Sequence, residues 1–313
     1  MAGTAAGNNQ STGGLDRESG GVGARAGKRS PAAVLEALRP PSDVPVWDCH
    51  GHLYDDPGGA RGRQLLAAMD RLGIERIFVS RLWAENRVPA TATPQDVQRC
   101  NEAVAGWAER HPDRFIPYCF VSCVYPEEAL RELELCVEQR GFCGLKLYAA
   151  CRYDDPRVEP VVARAARYGI PTLLHVTQRR TGESAGQFAS DGREVAYLAQ
   201  RLPNARLILA HVGGGGDWGY SIKAVRPYPN VYVDLAGSVV DAGLVEAAHA
   251  AVGPQRLLFG TDSSMTEGVG KLLGAHIPAA EKRPIWGATL QGLLRRSDAV
   301  GGLGTGYHHG RSG

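Results

Sequence analysis

Eight short apolar, β-branched runs recur along the middle of the chain, at residues 44–49, 76–80, 114–122, 142–149, 170–176, 206–213, 231–237 and 256–263. Amphipathic stretches of helical period separate them. GRQLLAAMDRLG, PQDVQRCNEAVAGWAERHP, PEEALRELELCVEQRG, PRVEPVVARAARYG and GREVAYLAQRLPN are the clearest. Several end in Gly or Pro after a basic residue, as helix C-termini do. Near-continuous apolar strands alternating with helices predict a parallel sheet covered on its outer face. Eight such units in about 250 residues predict a (β/α)8 TIM barrel. A doubly wound open sheet is the competing arrangement, and it would place a glycine-rich phosphate loop after the first strand. Here the first strand runs into Cys49-His50-Gly51-His52 instead.

The barrel is expected over residues 44–296. Residues 1–43 are rich in Gly, Ala, Ser and Arg, and no aromatic precedes Trp47. Such a segment buries too little apolar surface to offset its ordering entropy, so we expect disorder there, apart from a short helix at 31–38. The glycine-rich tail, 297–313, is expected to be flexible, and its His308 and His309 are given no role.

Composition narrows the partners. Hydrophobic residues make up 43% and charged residues 22%, enough for a large core, and the net charge of +2 is spread rather than gathered in a basic stripe. A nucleic-acid partner is not expected. Neither is a membrane, since no apolar run approaches the roughly 18 residues a spanning helix needs, and no secretory h-region is visible. The seven cysteines, an odd number, read as reduced thiols, and Cys119 and Cys123 lack the second pair of a structural zinc site. We expect a cytoplasmic protein with a small-molecule substrate, and a homodimer as the common oligomer.

The chemistry lies at the strand ends. His50 and His52 close the first strand, His175 the fifth, His211 the sixth and Asp262 the eighth. Residues two apart on an extended chain point to the same face, and in a barrel all these ends open onto one mouth. A lone histidine after an apolar strand is an ordinary hydrogen-bonded core group. Five residues at the same end of their strands suit a divalent ion, Zn2+ foremost, with Mn2+ or Fe2+ as alternatives. His111, His249 and His276 lack that placement.

These residues resemble the amidohydrolase superfamily. The phrases NEAVAGWAERHPDRFIPYCFVS, GFCGLKLYAA, AHVGGG, YPNVYVDLAGS and RLLFGTDSS are similar to its amidohydrolase-related branch, which includes aminocarboxymuconate semialdehyde decarboxylase. The resemblance implies that His50, His52, His175 and Asp262 hold one metal ion, with His211 facing the bound water or the substrate. The branch often carries a Gly-Asn pair in its closing helix, where this chain has Gly287-Ala288-Thr289, and the loop after His52 is short. Hydroxybenzoate decarboxylases of the branch often replace the first His of the pair with Glu, so His50 argues away from that subgroup.

A metal-activated water, with Asp262 as proton acceptor and His211 polarising a carbonyl, implies a hydrolase of an ester, lactone, amide or related bond in a small carboxylated molecule. The alternative is a carbon–carbon lyase, a decarboxylase on the same ligands. A catalytically silent barrel is the third reading. Lys146 on the fourth strand is a candidate substrate contact, as are Arg81 and Arg152. Some relatives carbamylate a lysine there to bridge two metals, but Lys146 lies several residues before the strand end read at 149. Residues 213–216, all glycine, let the backbone approach the metal, and Trp218 and Tyr220 beyond them either stack on a ring or cap the barrel.

Overall fold

The structure, a computed structural model, describes Ser30 and residues 39–54, 58–83, 89–148, 150–177, 190–212 and 217–295. Most of the N-terminal segment, the helix expected at 31–38, the four glycines at 213–216 and the tail fall outside these residues.

Eight strands form one parallel sheet in chain order. They are β1 (Trp47–His52), β2 (Arg76–Ser80), β3 (Phe115–Val121), β4 (Gly144–Leu147), β5 (Pro171–Leu174), β6 (Arg206–Leu209), β7 (Val231–Asp234) and β8 (Leu257–Leu258). The last strand returns to the first. Cys49 N donates to Phe259 O at 2.9 Å, and Asp262 N donates to His50 O at 2.8 Å. These two bonds bring the ends of the sheet together as a barrel.

The helices alternate with the strands as the periodicity predicts: α1 (Ala60–Leu72), α2 (Pro94–Arg110), α3 (Pro126–Arg140), α4 (Val158–Arg167), α5 (Gly192–Arg201), α6 (Trp218–Val225) and α7 (Leu244–Val252). After β8 come α8 (Met265–Gly274), α9 (Ala279–Arg283), a π-helical turn at Pro284–Ala288 and α10 (Thr289–Arg295). Reciprocal caps start two of them. Thr93 pairs with Asp96 ahead of α2, and Asp191 with Glu194 ahead of α5.

Period-2 alternation sorts the core into two layers. Ile77, Val79, Leu145, Leu147, Leu174, Leu207 and Leu209 belong to the cluster packed under the helices. Their neighbours Phe78, Ile116, Tyr118, Leu173, Ile208 and Leu258 form a second cluster, which Leu290 and Leu293 of α10 complete. The departure at Gly287-Ala288-Thr289 therefore falls in a turn and helix that still supply this plug. All seven cysteines are unpaired thiols and only Cys143 is not buried. No helix among the described residues is long and apolar enough to cross a membrane.

Six strands are shorter than their apolar runs, while β2 matches its run and β1 is displaced from 44–49 to 47–52. The extreme case is β8, read as 256–263 and reduced to Leu257–Leu258, and β4, read as 142–149, ends at Leu147. Lys146 is thus penultimate in its strand rather than several residues inside it.

Candidate active site

β1 carries two of the site histidines in alternate positions with Gly51 between them. The glycine faces β2 so closely that a Cβ there would lie 2.4 Å from Ile77 Cδ1. His52 Nε2 lies 3.0 Å and His50 Nε2 3.5 Å from Asp262 Oδ1. Each imidazole is steadied from behind. His50 Nδ1 donates to Asp234 Oδ2 at 2.8 Å, and His52 Nδ1 lies 3.0 Å from Ser80 Oγ. Ligand atoms of His50, His52 and Asp262 all lie within 4.8 Å of one another, the one such metal-competent group among the described residues.

His175 and His211 stand beside this trio. His175 Nδ1 is 2.9 Å from His211 Nε2, and the His211 ring stacks on His50 with centroids 5.6 Å apart. His175 thus reaches the trio through His211 rather than as a fourth member of the close group. Asp262, Ser263 and His211 adopt left-handed backbone conformations, with φ of 50°, 65° and 35°. Such conformations cost a non-glycine residue about 1–3 kcal/mol each and persist where surrounding contacts enforce them. Here they swing two site side chains into the mouth at the ends of β6 and β8.

Burial sets the charge states. It lowers His52 and His211 to about 4 and His175 well below the usual imidazole value, so these rings are neutral at physiological pH. It also lowers Lys146 to about 8. Asp262 goes the other way: burial pushes its carboxyl up, but His50, His52 and His211 outweigh that and hold it well below the ordinary carboxylate range. Asp234 behaves similarly, burial being outweighed by the bond from His50 and by two backbone amides.

This donor set fits a cation. An ionised Asp234 only accepts, so a neutral His50 carries its proton on Nδ1 and presents an Nε2 lone pair. That lone pair, His52 Nε2 and the Asp262 carboxylate converge on one small space. Lys146 also reaches this space: its Nζ is 3.0 Å from His50 Nε2, at the end of a side chain fully buried on the inner face beside Leu173.

Of the other predicted contacts, Arg152 is occupied, donating to Asp154 at 2.6 and 2.8 Å and to Glu194 at 2.9 Å. Arg81 Nε donates to the Trp83 carbonyl at 3.0 Å, beside the mouth. Trp218 donates to Asp241 at 2.9 Å and packs on the outer core, and Tyr220 is exposed.

Several residues escaped the sequence reading. Trp83 lies edge-on to His52 with centroids 5.7 Å apart, Tyr54 stacks on Trp83, and Tyr148 stacks on His175 at 4.1 Å. Half-buried, these rings wall one side of the mouth. Asp48 is fully buried and braces β1 against the segment after β8, accepting from His50 N at 2.9 Å, Thr261 N at 3.1 Å and Thr261 Oγ1 at 2.6 Å. Ser80 ends β2 as its run was read, so the strand-end rule finds it, whereas Asp234 ends β7 only because that strand stops at 234 instead of 237. The aromatic wall had no such signal, because Trp83 and Tyr54 sit on loops.

A (β/α)8 barrel with a histidine–aspartate cluster at its C-terminal mouth defines a metal-dependent barrel enzyme. The profile of the family described as Amidohydrolase matches residues 47–286, and the chain belongs to that family. It is 24% identical to the gamma-resorcylate decarboxylase of Rhizobium radiobacter over 248 residues, covering 63% of this chain and 75% of that protein. It is also 24% identical to the 2-amino-3-carboxymuconate-6-semialdehyde decarboxylase of Dictyostelium discoideum over 169 residues, 47% of this chain and 46% of that one. Among solved structures, a dihydroxybenzoic acid decarboxylase from Polaromonas sp. JS666, with bound manganese and the inhibitor 2-nitroresorcinol, superposes with a TM-score of 0.63. Its identity is 20%, over 80% of this chain and 97% of that one, which is a likeness of fold. These relatives are named as decarboxylases, not hydrolases, and two are of the hydroxybenzoate type that His50 argues against. The preference for zinc finds no support in the manganese-bound relative.

Proposed function

We propose that the chain is a divalent-metal-dependent decarboxylase of a small, planar, unsaturated carboxylic acid, with hydroxylated aromatic acids first among its substrates. The observation that carries the reading is that the trio of His50, His52 and Asp262 adjoins the ring wall of Tyr54, Trp83 and Tyr148. Aromatic faces suit a flat conjugated acid. The activities named for the relatives support the same class.

His50, His52 and Asp262 would hold the ion, with His175 as fourth donor, and the manganese-bound relative favours Mn2+ over Zn2+. When bound, the ion supplies Lewis acidity toward the substrate's oxygen atoms. The chain's residues do the rest. Trp83 and Tyr148 orient the ring and exclude water from one side of it, while Arg81 beside Trp83 offers an anion contact. Decarboxylation replaces a carboxylate by hydrogen and consumes one proton for each CO2 released. Asp262, held as a carboxylate at the mouth, is placed to collect that proton and return it to the ring carbon. His211, stacked on His50, would hydrogen-bond the substrate oxygen.

A second reading, an open-chain unsaturated acid of the semialdehyde type, is favoured by His50, because hydroxybenzoate decarboxylases often carry Glu at that position. The test is incubation of Mn2+-loaded protein with gamma-resorcylate, with 2-amino-3-carboxymuconate semialdehyde and with a panel of lactones and esters. CO2 release from the first or second supports a decarboxylase and chooses between the two readings. Acid release from the panel without CO2 overturns it in favour of hydrolysis.

A further inference from the structure

One buried carboxylate serves two of the site histidines. Asp234 Oδ2 accepts from His50 Nδ1 at 2.8 Å and from the backbone amide of His211 at 2.9 Å, while Oδ1 accepts from Ala236 N at 2.8 Å. Room for it is made on the adjacent segment after β8 by Gly260, where a Cβ would lie 2.0 Å from Asp234 Oδ1. We propose that Asp234 is a positioning residue that couples His50 to His211: it fixes the His50 tautomer that presents an unprotonated Nε2 to the ion, and with the same oxygen it holds His211 in its left-handed turn. The proposal rests on the reading above only in taking His50 as a metal donor.

The chemistry of the donors supports it. A carboxylate can only accept, so a neutral His50 in this contact carries its proton on Nδ1. Asp234 is not itself placed as a ligand, because it meets His50 on the side away from Asp262. The His211 amide sits at φ 35°, a conformation that a β-carbon residue leaves unless something holds it. Two donors on one oxygen, one from β1 and one from the segment after β6, mean that displacing the carboxylate disturbs both residues together. Asp48 does not duplicate this, since its carboxylate hydrogen-bonds the His50 backbone amide and Thr261 and not the His50 ring.

The test uses the full chain and Mn2+ alone. In the metal-free wild type, nitrogen-15 NMR of the imidazoles near neutral pH should show His50 as the Nδ1–H tautomer. Finding Nε2–H overturns the proposal without any variant. Asp234→Asn should weaken Mn2+ binding, measured by chelator competition, by roughly 10–100-fold with the far-UV circular dichroism unchanged. Gly260→Ala, which keeps the charge but displaces it, should weaken binding in the same direction and shift the His211 resonances as well. A folded Gly260→Ala protein with wild-type affinity and wild-type His211 resonances overturns the coupling. If the wild type binds Mn2+ normally yet decarboxylates nothing, the proposed function fails while this proposal stands. If Asp234→Asn binds as tightly as the wild type, this proposal fails alone.

Discussion

His52 Nε2 and Asp262 Oδ1 meet at 3.0 Å, one at the end of β1 and the other just after β8, so the site is made at the seam where the barrel closes. The Asp262 amide bonded to the His50 carbonyl at 2.8 Å is part of that seam. Closing the sheet and assembling the metal-binding group are one structural event.

Asp262→Asn should remove both an anionic donor and the proton carrier from this seam. We expect turnover to fall by roughly 10²–10⁴-fold while the barrel stays folded. Steady-state kinetics alongside circular dichroism checks this, and a fully active variant would show that Asp262 has neither role.

His211→Asn should leave the metal content nearly unchanged and slow the chemistry by about 10²-fold, the scale of one lost oxyanion donor. Elemental analysis of the purified variant distinguishes the cases. Loss of the metal would make His211 a ligand.

Trp83→Ala should raise KM for an aromatic acid by about 2–12-fold, corresponding to about 0.5–1.5 kcal/mol of lost ring contact, with a smaller change in kcat. An unchanged KM would place the substrate ring elsewhere in the mouth.

Chelation should abolish activity, and Mn2+ should restore it. Bound at 100 times its dissociation constant, the ion should also stabilise the fold by about 2.7 kcal/mol. Thermal unfolding with and without Mn2+ measures this, and a melting temperature indifferent to the ion contradicts a folded-state metal site.

The metal-free protein should lose stability in mild acid. His52 and His211 titrate at about 4 in the fold against an ordinary value of about 6.5, so between those values the unfolded chain binds more protons. The neutral-ring contribution is complete above about 6.5 and falls away as pH drops toward about 4, by a few kcal/mol per ring at most. Denaturant midpoints across that window test the sign. A flat profile would mean that the two rings are more accessible to water than the fold places them.

The chain's own pattern determined the barrel. Strand runs of period two and helices of period 3.6 are local properties, visible in any window, and the placement of His50, His175, His211 and Asp262 just before or after strand ends is equally local. What only the tertiary structure decided is who meets whom. Asp234 lies in the middle of its apolar run until the structure ends β7 there and sets it behind His50, and Gly260 is one more residue of the last run until Asp234 needs its missing side chain. Lys146 read as a residue well inside its strand, and the fold brings its ammonium to His50. Trp83 and Tyr54 carried no periodic signal because loops have none. Strand ends can be read from spacing, whereas hydrogen-bond partners across a closed barrel depend on its register, which is fixed only when the first strand and the last come together.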